Sequence, residues 1–402
     1  MNPSNHFTTT VVHQHPRLPA RMTHIMTPHG MAVTPTFMPV GTRAGVNCLL
    51  PEDLRKSNSQ IILGGNTYHM LVAPGMDVIR QAGGMHDFMA WQGPMLTDSG
   101  GFQLFSLSKR NQMCVIDDLG AHFTHPRTQD VIHMTPEISI QTQKIIGADI
   151  IMAFDQCTSD EATREETLLA MERTHRWLRQ SVDEHQRDPN SAYGHRQALF
   201  GIIQGGEFRD LREKSLEFIV EMGLDGIAIG GAVIGFDMQK TREILSWLIP
   251  QLPAAKTRYT MGVGLAPQDL IDVVAAGVDI FDCVAPTRNA RHGSLYCGEI
   301  VDTGDWIEFV PLVEQGRLQI KKREYARDET SIMPSCTCWT CQHYSRADLH
   351  YLLREQAIAF ASLASLHNVS VMQQVCLRMQ EKIRTTSVTG GSVDKTINSF
   401  PD

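Results

Sequence analysis

The 402-residue sequence lacks any apolar run of about 18 residues, the length that a helix needs to span a bilayer. Its first 16 residues are polar and rich in threonine and histidine, so an apolar signal-peptide core is missing too. Positive charge is scarce: 36 Lys and Arg stand against 44 Asp and Glu, a formal charge of -8. These absences argue against a membrane protein, a secreted protein and a protein held to nucleic acid by a global basic field.

Cysteine is present but not dense, since nine residues are spread over a long chain. We therefore expect a reduced, cytoplasmic protein whose cysteines are free, metal-bound or catalytic rather than paired. Hydrophobic residues make up 42 % and charged residues 20 %, which is ordinary globular usage and excludes a disordered or fibrous chain.

A short apolar run followed by an amphipathic segment recurs from about residue 60 to residue 285. Continuous apolar runs are typical of strands buried on both faces, as in a parallel sheet covered by helices. No G-x-G-x-x-G follows the first run, so we predict an α/β fold of the (β/α)8 TIM barrel type rather than an open sheet. The runs occupy residues 61–63, 95–96, 150–154, 198–203, 227–229, 259–263 and 278–281.

Two of the intervening helices have clear end signals. One is predicted from Thr158 to His185, opening near Ser159, and the other opens at Pro267 and ends at Gly277. The remaining boundaries give an N-terminal extension (1–20), a catalytic barrel (21–305), an inserted, cysteine-containing subdomain predicted to bind zinc (306–368), and a C-terminal helix that closes the barrel and is followed by a tail (369–402).

A cluster of three cysteines is the strongest single motif in the chain. The thiolates of Cys336, Cys338 and Cys341 can reach one tetrahedral zinc ion if the chain turns sharply, and a closed structural site then needs a fourth ligand. The spacing alone leaves three candidates open, although the first lies so close to Cys341 that sharing a metal ion would strain it. They are His343, His350 and His367.

Three aspartates, Asp98, Asp155 and Asp282, lie at or just past the ends of apolar runs. Barrel enzymes place their chemistry there, and a pair of carboxylates permits covalent catalysis at an anomeric carbon. The alternative for each is a structural one: it caps the next helix or pairs with Arg288 or Arg291.

Glycine-rich segments at 98–103 and 204–206 combine carboxylate or amide groups with residues that let a flat ligand approach the backbone. The basic segment 286–293 is placed to hold phosphates beside Asp282, and its alternative is a solvated loop.

Taken together, these segments resemble the tRNA-guanine transglycosylases, the queuine or prequeuosine tRNA-ribosyltransferases. The resemblance covers roughly residues 20 to 380 in family order. The matching segments are 34–42, 65–69, 97–103, 154–157, 201–205, 261–264, 281–284 and the cluster from Cys336 to His367.

The resemblance implies a pentosyltransferase of queuosine biosynthesis, in which the wobble guanine of GUN anticodons is exchanged for a 7-deazaguanine. Asp282 would be the nucleophile, and Asp98 would accept and donate protons. It also implies a homodimer that binds the tRNA anticodon loop and holds one structural zinc ion per chain, with Cys336, Cys338, Cys341 and His367 as ligands.

The remaining site residues follow from the same resemblance. The base would be bound by Ser99, Gly100, Gly101, Phe102, Asp155, Cys157, Gln204, Gly231, Ala232 and Met261. The tRNA would be bound by Gly262, Val263, Gly264, Leu265, Ala266, Pro267, Gln268, Thr287, Arg288, Asn289, Ala290 and Arg291.

The chain departs from the family's bacterial pattern after its Gly-Gly pair. Where bacterial members continue Leu-x-Val-Gly-Glu, Ala232 replaces the leucine and Phe236 replaces the acid that lies near the aminomethyl group of the prequeuosine base. These two replacements predict that the pocket accepts a bulkier or different base, such as queuine. Cys157 argues the other way, because it is typical of the bacterial pocket. A glutamate common beside Asp155 is also replaced, by Gln156.

Two rival functions remain at this point. A non-catalytic tRNA-binding paralogue would require loss of Asp98 or Asp282, and both are present. A zinc-dependent barrel hydrolase would require an open coordination position at the cysteine cluster. For a tRNA enzyme, the acidic net charge requires a local positive strip, for which the candidates are Arg288, Arg291, Lys321, Lys322 and Arg323.

Overall fold

Strands in the computed structural model, which describes residues 6–109 and 114–387, form five sheets. They are β1 (Thr8–Gln14), β2 (Arg21–Thr27), β3 (Gly30–Val33), β4 (Thr36–Pro39), β5 (Ile62–Asn66), β6 (Met95–Asp98), β7 (Cys114–Ile116), β8 (Ala121–Thr124), β9 (Val131–Met134), β10 (Ile150–Met152), β11 (Ala198–Ile203), β12 (Gly226–Ile229), β13 (Thr257–Thr260), β14 (Ile280–Cys283), β15 (Ser294–Tyr296), β16 (Gly298–Asp302), β17 (Ile307–Pro311) and β18 (Arg317–Gln319).

Helices follow most of the central strands. They are α1 (Pro51–Lys56), α2 (Thr67–Val72), α3 (Met76–Gln81), α4 (Met85–Met89), α5 (Gly101–Lys109), α6 (Pro136–Ile146), α7 (Arg164–Arg187), α8 (Arg209–Glu221), α9 (Met238–Leu248), α10 (Pro267–Ala275), α11 (Ala285–Arg291), α12 (Trp339–His343), α13 (Arg346–Glu355) and α14 (Ala357–Thr386). Short 3-10 turns occupy Ile249–Gln251, Glu314–Gly316 and Arg323–Arg327.

Eight parallel strands make the barrel, in the order β4-β14-β13-β12-β11-β10-β6-β5. A parallel bridge between Val40 and Leu63 joins the two outer strands and nearly closes the sheet on itself. Large apolar side chains such as Phe200, Met152 and Tyr259 fill the interior. The predicted (β/α)8 barrel is confirmed, and it has one more strand than the seven apolar runs indicated, namely β4.

Two antiparallel sheets attach to this barrel. The sheet β1-β2-β3 packs at the N-terminal ends of the barrel strands, where the guanidinium of Arg21 donates to both carboxylate oxygens of the buried Asp279 at 2.9 and 2.6 Å. The sheet β7-β8-β9 lies between β6 and α6 in the chain. The N-terminal segment 1–20 thus contributes β1 to an ordered sheet, within its described residues.

Helix boundaries follow their capping residues. The predicted start of α7 near Ser159 is wrong: Thr163 accepts from Glu166 N and Glu166 accepts from Thr163 N, and this capping box starts the helix after Thr163. The predicted start of α10 at Pro267 is confirmed, and Gly277, with a φ of +106°, follows its end.

The last described helix, α14, has 30 residues and packs against β4, α10 and α11. It begins at Ala357, so it runs across the boundary placed at 368/369, and it carries His367 toward the cysteines. The predicted tail beyond residue 387 lies outside the described residues. Among the described helices, none combines the length and the apolar character needed to cross a bilayer.

Candidate active site and metal centre

Three carboxylates meet at the carboxyl ends of the barrel strands. Asp98 is the last residue of β6, Asp282 lies in β14, and Asp155 follows β10. All three line one cavity of about 220 Å³. This is the end of a (β/α)8 barrel at which catalytic side chains are found.

Asp98 is held by amide donors. Asn66, at the end of the neighbouring strand β5, donates through Nδ2 at 2.9 Å, and the backbone N–H of Gly100 donates at 3.2 Å. Burial raises the pKa of Asp98, and these hydrogen bonds oppose the rise. A carboxyl group with a raised pKa is better suited to taking up and releasing a proton than an ordinary exposed carboxylate.

Both carboxylate oxygens of Asp155 accept a hydrogen bond. The hydroxyl of Ser99 donates to Oδ1 at 3.1 Å, and Nε2 of Gln204 donates to Oδ2 at 2.8 Å. Burial, with the charge of Asp98 as a second cause, raises the pKa of Asp155 to about 7. A Cβ at Gly101 would lie 2.4 Å from the Asp155 carbonyl oxygen, so only glycine permits this close packing.

Asp282 accepts two hydrogen bonds on the same oxygen. The Tyr259 hydroxyl donates to Oδ1 at 2.6 Å, and the backbone N–H of Gly262 donates at 3.1 Å. Burial raises the pKa of Asp282 to about 6 and keeps the pKa of Tyr259 well above its usual value, so the phenol stays a donor. Within the described residues we find no hydrogen bond to Oδ2, which leaves that oxygen available to react.

The residues predicted to bind a base divide into two groups. Seven line the cavity: Phe102, Asp155, Cys157, Gln204, Gly231, Ala232 and Met261. The other three, Ser99, Gly100 and Gly101, are not part of the lining. Ser99 donates a hydrogen bond to Asp155. The backbone turns at Gly100, which has a φ of +90°, and α5 begins at Gly101.

The residues predicted to bind tRNA are more dispersed. Gly262, Leu265 and Arg288 line the cavity, and the side chain of Arg288 is exposed. Five others are buried: Val263, Gly264, Pro267, Thr287 and Ala290. The remaining four are partly exposed, namely Ala266, Gln268, Asn289 and Arg291. The role of this set stays a prediction.

Sequence reasoning gave no site role to two residues that contact the carboxylates. Tyr259 donates to Asp282, and Asn66 donates to both Asp98 and Gln103. The sequence carries a signal for both residues. Tyr259 is two residues from Met261, so both side chains face the same side of the strand. Asn66 ends the strand that pairs with the strand of Asp98.

The cysteine cluster is assembled around His367. Nδ1 of His367 lies 3.8, 3.5 and 3.3 Å from the Sγ atoms of Cys336, Cys338 and Cys341, and Nε2 lies 2.8 Å from the carbonyl oxygen of Tyr296. The last contact orients the imidazole, as is usual for a metal-bound histidine. These four residues can hold a metal ion.

The other two candidate histidines bind elsewhere. Nδ1 of His343 contacts the carbonyl oxygen of Trp339, and Nδ1 of His350 contacts that of Ile320, both at 2.8 Å. Of the three candidates, His367 is the one that the fold brings to the cysteines.

Fold and site together define a class: a (β/α)8 barrel enzyme with buried carboxylates at the strand ends and a Cys3His centre. A family model described as queuine tRNA-ribosyltransferase matches residues 17–393. The chain belongs to this family.

Relatives named queuine tRNA-ribosyltransferase match this chain along nearly its whole length. Queuine tRNA-ribosyltransferases from Lysinibacillus sphaericus and Halothermothrix orenii are 43 % and 42 % identical to it, covering 91 % and 93 % of this chain and 89 % and 92 % of their own. That of Aeromonas hydrophila is 40 % identical over 95 % of this chain and 93 % of its own length.

Asp155→Asn should stabilise the fold in alkaline solution. Because the folded-state pKa is raised to about 7, the protonated form contributes stability below the unfolded-state pKa, and this is lost as the pH rises through 7. We expect the variant to gain about 2 to 4 kcal/mol of unfolding free energy at pH 8 and nothing near pH 4, measured by urea denaturation.

The control is Asp160→Asn, since Asp160 is exposed and its substitution should leave unfolding unchanged at both pH values. Equal stability of Asp155→Asn and the unmodified protein at pH 8 would contradict the raised pKa.

Proposed function

We propose that this chain exchanges guanine at the wobble position of GUN anticodons for a 7-deazaguanine base, through a covalent ribosyl-enzyme intermediate. Its family membership identifies it as a tRNA-guanine transglycosylase, a pentosyltransferase. The observation that carries the mechanism is the buried Asp282, with one oxygen held by Tyr259 and Gly262 and the other free of protein donors among the described residues.

In the proposed reaction, the ionised Asp282 attacks C1′ of the ribose. A C1′–O bond forms, the glycosidic C1′–N bond breaks, and its electron pair leaves with guanine. The incoming base then attacks C1′ and releases the carboxylate. The two donors on Oδ1 orient the carboxylate, so the attack uses the remaining oxygen.

Asp98 is proposed as the proton carrier. The leaving guanine needs a proton and the incoming base must lose one, so a single carboxyl group can serve both half-reactions. Support comes from its place on the cavity wall and from its raised pKa, which burial causes.

Asp155, Gln204 and the backbone at Gly231 are proposed to bind the polar edge of the base. The Oε1 atom of Gln204 is buried and has no partner among the described residues, while its Nε2 holds Asp155. A purine-like base that donates to this oxygen removes the cost of an unsatisfied polar atom. Phe102 and Met261, which also line the cavity, are proposed as the two faces of the slot.

The anticodon loop is proposed to cross the cavity mouth, where its unstacked bases can turn inward at low cost. Arg288 lines the cavity and is exposed, and we propose that Lys321, Lys322 and Arg323, which are also exposed, extend its positive charge along the RNA. A local strip of this kind is compatible with a net charge of -8, because phosphate contacts depend on nearby charge.

The metal proposed for the cluster of Cys336, Cys338, Cys341 and His367 is zinc, one ion per chain. Three thiolates and an imidazole form a usual structural zinc set, and four protein ligands fill a tetrahedron. The ion would tie the segment around α12 to α14, and a closed site of this kind argues against a zinc-dependent hydrolase.

A cytoplasmic homodimer is proposed as the working form. None of the nine cysteines, which all lie in the described residues, forms a disulfide, and this supports a reducing location. The large hydrophobic side chains of Trp339, Tyr351 and Ile358 are exposed, and we propose them as part of the dimer contact.

The proposed base is queuine rather than the aminomethyl precursor. Ala232 and Phe236 line the cavity, at positions where bacterial members have a leucine and an acid. The aminomethyl base would lose the partner of its ammonium group here. Queuine carries an amine too, so its advantage is the room that the small Ala232 leaves for its bulkier substituent.

Asp282→Asn should abolish a denaturation-resistant adduct with RNA, because an amide cannot serve as the nucleophile. Incubation with unmodified tRNA, followed by denaturing electrophoresis, checks this. Asp237→Asn, at an exposed helix cap, serves as the control and should keep the adduct. An adduct of unchanged yield in Asp282→Asn would overturn the assigned role.

When each base is supplied to displace labelled guanine that is already in tRNA, queuine should displace more of the label than the aminomethyl base. Phe236→Glu restores an acid, so it should raise the affinity for the aminomethyl base by about 10- to 100-fold, the equivalent of roughly 1 to 3 kcal/mol. Phe236→Gln, which is polar but uncharged, controls for the change of shape. A clear preference of the unmodified enzyme for the aminomethyl base would refute the queuine proposal.

A further inference from the structure

A second cluster of metal-ligating side chains lies at the opposite end of the barrel from the three catalytic-site carboxylates. His29 lies in the turn between β2 and β3, Asp149 directly precedes β10, and His195 lies in the segment before β11. Each offers one ligand atom, and these atoms lie within 4.8 Å of one another.

Asp149 is the buried centre of this cluster. Its Oδ1 accepts from the backbone N–H of His29 at 3.1 Å and contacts Nδ1 of the same residue at 2.8 Å, while Oδ2 accepts from Met95 N at 2.8 Å. The Asp149 side chain is fully buried, and these contacts hold both of its carboxylate oxygens in place.

His195 offers a ring nitrogen that is available to a metal ion. Its Nε2 atom is buried and has no hydrogen-bond partner among the described residues. Its Nδ1 atom lies 3.0 Å from the hydroxyl of Ser191, which also accepts from Tyr193 N at 3.1 Å. With the proton on Nδ1, Ser191 fixes the tautomer that leaves a lone pair on Nε2, as in metal-binding histidines.

Aromatic packing positions the third group. The imidazole of His29 stacks on that of His86 with 3.6 Å between ring centroids, and it meets His195 edge-on at 4.8 Å. Nε2 of His86 contacts the carbonyl oxygen of Gly93 at 3.1 Å, so this ring supports His29 from behind. Two imidazoles and one carboxylate thus converge from three separate segments.

We propose that His29, Asp149 and His195 bind a divalent transition-metal ion of the zinc type, in addition to the Cys3His centre. Imidazole and carboxylate donors suit this class of ion, and the ligand atoms of a tetrahedral zinc site lie roughly 3.3 Å apart. Side-chain rotation brings the donors to that spacing and pairs the orphaned Nε2. The ion would pin the turn at His29 and the segment at His195 to the N-terminal end of the barrel.

Counting metal ions tests the proposal without reference to catalysis. The enzyme is equilibrated with excess Zn²⁺, freed of unbound metal by gel filtration, and its zinc content per chain is measured by mass spectrometry. We expect two ions in the unmodified chain, one in His195→Gln and one in Cys336→Ser. One ion in both the unmodified chain and His195→Gln would overturn the second site.

The exposed pair of His122 and His133, whose Nδ1 atoms are 2.6 Å apart, provides a matched control. His133→Gln should retain two ions, and loss of the second ion in this variant would overturn the assignment to His195. His29→Gln should also hold one ion, which covers a failure of His195→Gln to fold. Anomalous scattering at the zinc edge from crystals of the unmodified protein should place a peak between His29, Asp149 and His195, and a peak elsewhere would contradict the site.

Discussion

The chemistry that we propose for this protein depends on keeping three carboxylates together in one cavity. Asp98, Asp155 and Asp282 come from separate barrel strands, and burial makes each harder to ionise. Hydrogen bonds offset part of this cost: Tyr259 and a backbone amide serve Asp282, and Gln204 serves Asp155. What remains is a set of acids whose pKa values are raised toward neutrality, where proton transfer and nucleophilic attack are both accessible.

The rest of the fold supports this arrangement. The nearly closed barrel brings together strand ends that are far apart in the chain, and the glycine at 101 lets Asp155 approach the start of α5. Helix α14 packs on the barrel and carries His367 to the three cysteines, so the Cys3His cluster, which we propose to bind zinc, connects the C-terminal segment to the same core. The histidine cluster would add a fixed point at the other end of the barrel.

The sequence predicts the barrel and the acids well because buried parallel strands read as apolar runs and end in polar residues. It misses β4 because threonine and proline flank the two apolar residues of Thr-Phe-Met-Pro and because this strand precedes residue 60, where the recurring pattern begins, although all four residues are buried. It places the start of α7 too early because Thr163 and Glu166 outweigh Ser159 as a cap. The contacts of Tyr259 and Asn66 join neighbouring strands, so the positions of these residues become informative only when the strand order is known. A whole-chain charge of -8 likewise says little about the positive side chains near one cavity.

The central claim is that an ionised Asp282 begins the reaction, with burial raising its pKa to about 6. The most direct measurement is the single-turnover rate of covalent adduct formation with unmodified tRNA as a function of pH, over the range in which the enzyme stays folded. The rate should rise with pH and reach half of its rise near pH 6, because only the carboxylate form attacks. A rate that stays constant or falls as the pH rises from 5 to 7 would contradict the claim.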